Sequence, residues 1–198
     1  MKTVEFQFDF GSPNAYLSHA VIPGIEARTG ATFEYVPVLL GGLFKATGNQ
    51  PPFMAYAGVP AKMAYEQLEL RRFVDRHQIP FRMNPHFPVN TLLMMRMATA
   101  AAMEGKARDF ASAVFPLMWE KGVNMGDPEI VAAGLAEAGL DAAHWAARAQ
   151  APEVKARLAD VTESAVRRGA FGSPSFFLGD DLYFGKNTLA EIETHLAS

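Results

Sequence analysis

From Thr3 to Phe10 the chain alternates polar and apolar residues, Thr3-Val4-Glu5-Phe6-Gln7-Phe8-Asp9-Phe10. That is the period-2 pattern of a strand with one buried face. Gly11 breaks the pattern, and Ser12-Pro13 opens a helix, with a capping hydroxyl followed by proline at the first helical position. The helix carries Tyr16, Leu17, Ala20 and Ile25 and stops at Gly30. Strand character resumes over Thr32-Phe33-Glu34-Tyr35-Val36, and Pro37 marks its end or a sheet edge. A β-α-β unit places its two strands parallel with a right-handed crossover, which makes the chain an α/β protein.

Leu40 to Pro60, rich in glycine and proline, predicts a mobile loop beside a site. From there to Arg168 the periodicity is helical. Ala64/Leu68 and Leu70/Phe73/Val74 share faces within Pro60 to His77. Asn90 caps a helix through Leu93 and Met97 that Gly105 ends. Phe110, Val114, Leu117 and Met118 mark another, which Pro116 should kink or restart. Asp127-Pro128 starts a further helix stopped by Gly139, and Val154, Leu158, Val161 and Ala165 line one that ends at Gly169. A hairpin follows, with strands Ser175–Leu178 and Leu182–Phe184 around Gly179-Asp180-Asp181. Thr188-Leu189-Ala190-Glu191 then reads as a capping box opening the last helix. The layout is βαβ, a helical block, then ββα.

Composition narrows the chemistry. With 198 residues, 49% of them hydrophobic, the chain can bury one real core. Its formal net charge of -3 gives no basic field for nucleic acid, and no stretch reads as a membrane span. The first residues include Glu5 and Asp9 where a secretory signal would be apolar, so a cytoplasmic location is expected. There is no cysteine, which excludes disulfides, thiolate metal sites and any redox couple of the chain's own sulfur. Thiol chemistry here must use a borrowed thiol.

Three places could carry that chemistry. Ser12 sits at the positive end of a helix dipole, where an anion is stabilised and a thiolate would have a lowered pKa; the motif alone favours a plain N-cap, and the two roles are compatible. Pro174, just before a strand in Phe171-Gly172-Ser173-Pro174-Ser175, occupies a position where a cis bond can occur, although trans is the commoner form. If cis, it turns the Ser173 backbone outward to pair with an extended peptide ligand. Lys186, in Phe184-Gly185-Lys186-Asn187-Thr188, stands beside a helix start that could take a carboxylate or be merely solvated. The five histidines (His19, His77, His86, His144, His195) have no paired zinc spacing, and no phosphate-loop, dinucleotide or GxSxG motif is present. Met94, Met95 and Met97 read as core filler, and Lys62 alone as a solvated cation.

The segment Phe8-Asp9-Phe10-Gly11-Ser12-Pro13-Asn14-Ala15-Tyr16-Leu17 resembles the N-terminal signature of 2-hydroxychromene-2-carboxylate isomerases and kappa-class glutathione transferases. The likeness continues in order at Thr47–Pro52, Pro60-Ala61-Lys62, Pro85–Leu92, Phe171–Phe177 and Tyr183-Phe184-Gly185, covering essentially the whole chain. It implies a thioredoxin-like, DsbA-like fold whose thioredoxin-like part is residues 1–40 and 169–198, with an inserted all-helical part over 41–168. It further implies that Ser12 holds a glutathione thiolate where redox relatives carry a cysteine. Pro174 would be the family's cis-proline, Ser173 would pair with the cysteinyl part, and Phe184, Gly185, Lys186 and Asn187 would bind the γ-glutamyl end. Asn49, Lys62 and Asn90 match positions near glutathione or the organic substrate. No metal is implied.

The activity so implied is glutathione-dependent isomerisation in aromatic hydrocarbon degradation. It interconverts a cyclic hemiketal acid and an open benzylidene pyruvate through thiolate addition, bond rotation and elimination. Lys62 and Asn90 would meet the carboxylate and enolate. The partner is a small aromatic carboxylate, and the family is usually homodimeric. Two alternatives keep the same fold: a kappa-type glutathione transferase, and a non-catalytic DsbA-like module holding extended peptides at Ser173-Pro174. One departure stands out: isomerases of this group commonly carry an acidic residue and then Arg near the last helix. Here Asn187-Thr188 stands instead, which implies an altered thiol preference.

Overall fold

A computed structural model describes residues 2–197. The chain runs β1 (Thr3–Phe8), α1 (Pro13–Thr29), β2 (Thr32–Pro37), α2 (Leu40–Thr47), α3 (Pro52–Ala55), α4 (Pro60–His77), α5 (Leu92–Met103) and α6 (Ala107–Trp119). It continues through α7 (Pro128–Glu137), α8 (Ala142–Gln150), α9 (Pro152–Arg167), β3 (Ser175–Leu178), β4 (Asp181–Phe184), a 3-10 turn (Lys186–Thr188) and α10 (Leu189–Ala197). Among the described residues, the strands form one sheet in the order β2-β1-β3-β4. β1 and β2 are parallel, as the crossover requires, and the other pairs are antiparallel. This is the DsbA-like thioredoxin architecture, with its helices between the βαβ and ββα parts.

The apolar face of β1 explains why the helices pack where they do. Phe6 stacks on Phe176 of β3 at 5.4 Å and meets Tyr35 of β2 edge-on at 5.0 Å. Phe8 and Phe10 reach Phe115 of α6 at 5.7 and 4.8 Å. Each of these rings contributes to one buried cluster that also takes in Met94, Met95 and Met97, so sheet and helical block share a core.

Several local expectations are corrected. β1 ends at Phe8, two residues early, because the next amides leave the ladder: Asp9 N–H donates to Ser173 Oγ at 3.1 Å and Phe10 N–H to Met95 Sδ at 3.4 Å. Leu40 to Pro60 is not one open loop but carries α2 and α3. Leu43 is fully buried, and Gly42 lets α2 approach α9 so closely that a Cβ there would lie 3.1 Å from Thr162 Cγ2. Thr91, not Asn90, is the N-cap of α5, while Asn90 Oδ1 accepts from Leu92 N–H at 3.0 Å. The helix α6 runs through Pro116 as one element. Thr188 closes the 3-10 turn, its hydroxyl donating to Gly185 O at 2.8 Å, instead of forming a capping box.

Candidate active site

The Ser12 turn closes the C-terminal end of β1. Ser12 is extended (φ -98°, ψ 113°), and its Oγ accepts from Ala15 N–H at 3.2 Å, the side-chain cap expected of Ser before Pro. The same hydroxyl donates to the Ser173 carbonyl at 2.7 Å. Capping and presentation of a hydroxyl therefore coexist. Asn14, second in α1, has no intrahelical acceptor for its N–H by helix geometry, so a backbone donor remains beside the hydroxyl.

The opposite wall is the loop from Phe171 to Ser175. The Ser173–Pro174 bond is cis, against the commoner isomer. Ser173 is 9% exposed and Ser12 5%, so their meeting is nearly dry. Gly185 N–H donates to the Pro174 carbonyl at 3.0 Å, which ties the end of β4 to this loop. Phe184 packs against Phe171, ring centroids 4.4 Å apart and tilted by 43°, and lies over Gly172, where a Cβ would come within 2.8 Å of its ring; any side chain at 172 would displace it.

Lys186 departs from the sequence reading. Its ammonium is not free beside a helix start: the residue is 4% exposed, pairs with Glu69 of α4, and lies 5.2 Å from the centre of the Phe73 ring. The lysine braces α4 against the segment after β4, and the carboxylate-binding cation inferred for it is already committed. Asn187 is exposed beside it.

The other matched positions divide. Asn49 Nδ2 donates to Phe171 O at 2.9 Å, which places it on the rim of the cis-proline loop. Asn90 adjoins Thr91, whose Cγ2 would lie 3.1 Å from a Cβ at Gly11. Lys62 is exposed at the start of α4, its Nζ 5.0 Å from the Tyr56 ring centre.

Asp9 was missed in the sequence because it reads there as one more polar position of a strand. It is fully buried under the turn. Oδ1 accepts from Gly11 N–H at 2.8 Å, Oδ2 from Leu40 N–H at 2.8 Å, and Thr91 supplies a side-chain hydrogen bond. Burial pushes its carboxyl above the usual range, against the opposing pull of those hydrogen bonds. One side chain thus joins the Ser12 turn, the start of α2 and the cap of α5. Trp119 adds a fourth tie, with Nε1–H donating to Phe10 O at 2.8 Å. Among the described residues no cluster of three or more acidic or histidine side chains could hold a metal, and no helix is long and apolar enough to cross a membrane.

Comparison with known proteins agrees with this geometry. A family model described as a DSBA-like thioredoxin domain matches residues 3–197. The chain is 27% identical to a 2-hydroxychromene-2-carboxylate isomerase of Sphingobium xenophagum over 195 residues, 98% of each chain. It is 27% identical to human glutathione S-transferase kappa 1 over 187 residues, 87% of this chain and 79% of that one. The solved structure of a 2-hydroxychromene-2-carboxylate isomerase superposes with a TM-score of 0.84 at 25% identity, covering 98% of this chain and 94% of that one.

Proposed function

The chain belongs to the DSBA-like thioredoxin domain family, and on that premise we propose that it is a glutathione-dependent isomerase of the 2-hydroxychromene-2-carboxylate type, acting on a small aromatic carboxylate. The observation that carries the reading is the Ser12 hydroxyl, fixed at the N-terminus of α1 and 2.7 Å from the carbonyl of a residue in cis linkage to proline, in a chain without cysteine. The relatives named above support the reaction class.

The donor set suits a thiolate. A hydroxyl, the Asn14 amide and the helix dipole all favour an anion. Asp9, the nearest acid beneath them, is held toward its neutral form by burial. Bound at this turn, glutathione supplies a reversible sulfur nucleophile of lowered pKa for a conjugated carbon. Ser12 then turns its proton from the Ser173 carbonyl to the sulfur. The Ser173 backbone pairs with the cysteinyl part, and Phe184, Gly185 and Asn187 receive the γ-glutamyl end, with Lys186 keeping α4 in place around them. Asn49 and Asn90 orient the aromatic acid, and the exposed Lys62 draws its carboxylate to the mouth. A cytoplasmic homodimer completes the reading.

The test is calorimetric titration of glutathione into wild type and Ser12→Ala, read beside turnover of 2-hydroxychromene-2-carboxylate. Turnover only with glutathione, reduced by about 10²–10³ in Ser12→Ala, is the expected result, the size of losing one preorganised donor to a developing anion. Glutathione binding without isomerisation would favour a kappa-type transferase, the second reading, which the human relative supports. Binding of extended peptides without glutathione would favour a silent peptide-holding module.

A further inference from the structure

Three helices leave a groove that the proposed reaction does not use. Its floor is apolar, made by Leu39 before α2, Leu92 of α5, and Leu158 and Val166 of α9, and it encloses about 440 Å³. Each helix puts one cation at its margin: Lys45, Arg96 and Lys155. Arg96 and Lys155 are half-buried, and among the described residues none of the three side chains makes an ion pair or hydrogen bond. The acid on the groove, Glu163, is paired with Arg167 at 3.9 Å. So three cations face one engaged carboxylate in a chain whose net charge is -3.

The groove is rigidly framed. Gly42 allows α2 to meet α9, and Leu39 N–H donates to Thr162 Oγ1 at 3.0 Å. A preformed cavity of this size with an apolar lining and a few convergent polar heads has the character of a small-molecule site. Half-buried cations without counter-charge are partly desolvated, and an incoming carboxylate compensates them while its apolar body covers the leucines.

We propose that this groove is a second binding site, separate from the Ser12 turn, for an amphipathic organic acid: a carboxylate carried on an apolar body of one or two rings. Arg96 and Lys155 receive the carboxylate, and Leu92, Leu158 and Val166 receive the rings.

The test uses the whole chain, free of glutathione, in the Asn49→Ala/Lys62→Ala background, which removes side chains given to the aromatic acid at the first site and leaves the groove lining intact, with 2-naphthoate as probe and 2-naphthalenemethanol as its uncharged counterpart. Calorimetry should show one site for 2-naphthoate. Affinity should fall about tenfold or more in Arg96→Gln/Lys155→Gln, in line with the loss of charge-assisted contacts, and by a similar factor for the alcohol. Ala46→Trp, which fills the groove from its exposed side, should abolish binding, with circular dichroism confirming that each variant is folded. Unchanged affinity in both groove variants, equal affinity for the alcohol, or no binding at millimolar probe would each overturn the proposal. So would light scattering showing that the charge variants dissociate a dimer, since the groove would then be covered by a second copy.

Discussion

Asp9 shows how much of a site can depend on a side chain with no reactive part to play. Its carboxyl is the acceptor for two part-buried amides, those of Gly11 and Leu40. Asp9→Ala should therefore lower stability by about 1–3 kcal/mol per orphaned amide, seen as a fall in the urea midpoint at constant slope. Asp9→Asn should recover only part of this, because its NH2 group must face one of the two N–H donors. Ser12→Ala should be milder, about 1 kcal/mol for the lost cap, with the Ser173 carbonyl left without its donor; thermal unfolding checks it. Equal losses in Asp9→Ala and Ser12→Ala would contradict this account of the turn. The Gly11 contact is local, but the tie to Leu40 was not legible in the sequence, since Leu40 lies 31 positions away and a strand alternation does not say which polar residue turns inward.

Among the longer helices, α4 is the least embedded: from Pro60 to His77 only Phe73 is buried. Its bond to the rest of the molecule is concentrated in Glu69, Lys186 and Phe73. The pair is lopsided, with Glu69 able to reach water and Lys186 almost wholly enclosed. Glu69→Gln strands a buried ammonium and should cost about 3–5 kcal/mol, whereas Lys186→Met fills the space and leaves a carboxylate that can be hydrated, so it should cost much less. In both, amide exchange over 60–77 should accelerate while that of β1 stays slow. Equal exchange in α4 and β1 would show that the pair is not the tether. Start and stop signals made most elements readable: Ser12-Pro13 with Gly30, Asp127-Pro128 with Gly139, and the turn at Gly179 all act within a few residues. Helix α2 was not readable, because Gly41 and Gly42 argue locally for a loop and only the distant Thr162 shows why a bare backbone is wanted there. The Glu69–Lys186 pair escaped for the same reason, its members being 117 positions apart.

For the molecule as a whole, His19 links folding to acidity. Its Nδ1 lies 2.7 Å from the Tyr35 hydroxyl, and its ring stacks on Phe115 at 5.1 Å. Burial, with Arg108 adding a smaller push, lowers its pKa from 6.5 to about 4. Between those values the unfolded chain takes up a proton that the folded chain refuses, so stability falls as pH drops from 6.5 to 4, by roughly 3 kcal/mol in all. His19→Gln should flatten that part of the curve; urea midpoints of both proteins at pH 7 and pH 4 decide it, and parallel curves would refute it. The sheet order has a consequence for how such a molecule comes into being. β1, near the start of the chain, lies between β2 and β3, and its second edge is covered only when Ser175–Leu178 arrives. Domains begin to form from the N-terminus during synthesis, so a growing chain carries an aromatic strand with one open side until Ser175–Leu178 is made. The Ser12 hydroxyl gains its Ser173 partner in that same late event. A chain that stops short of Ser175 therefore has a sticky edge and no completed pocket, and competence arrives only when β3 reaches β1.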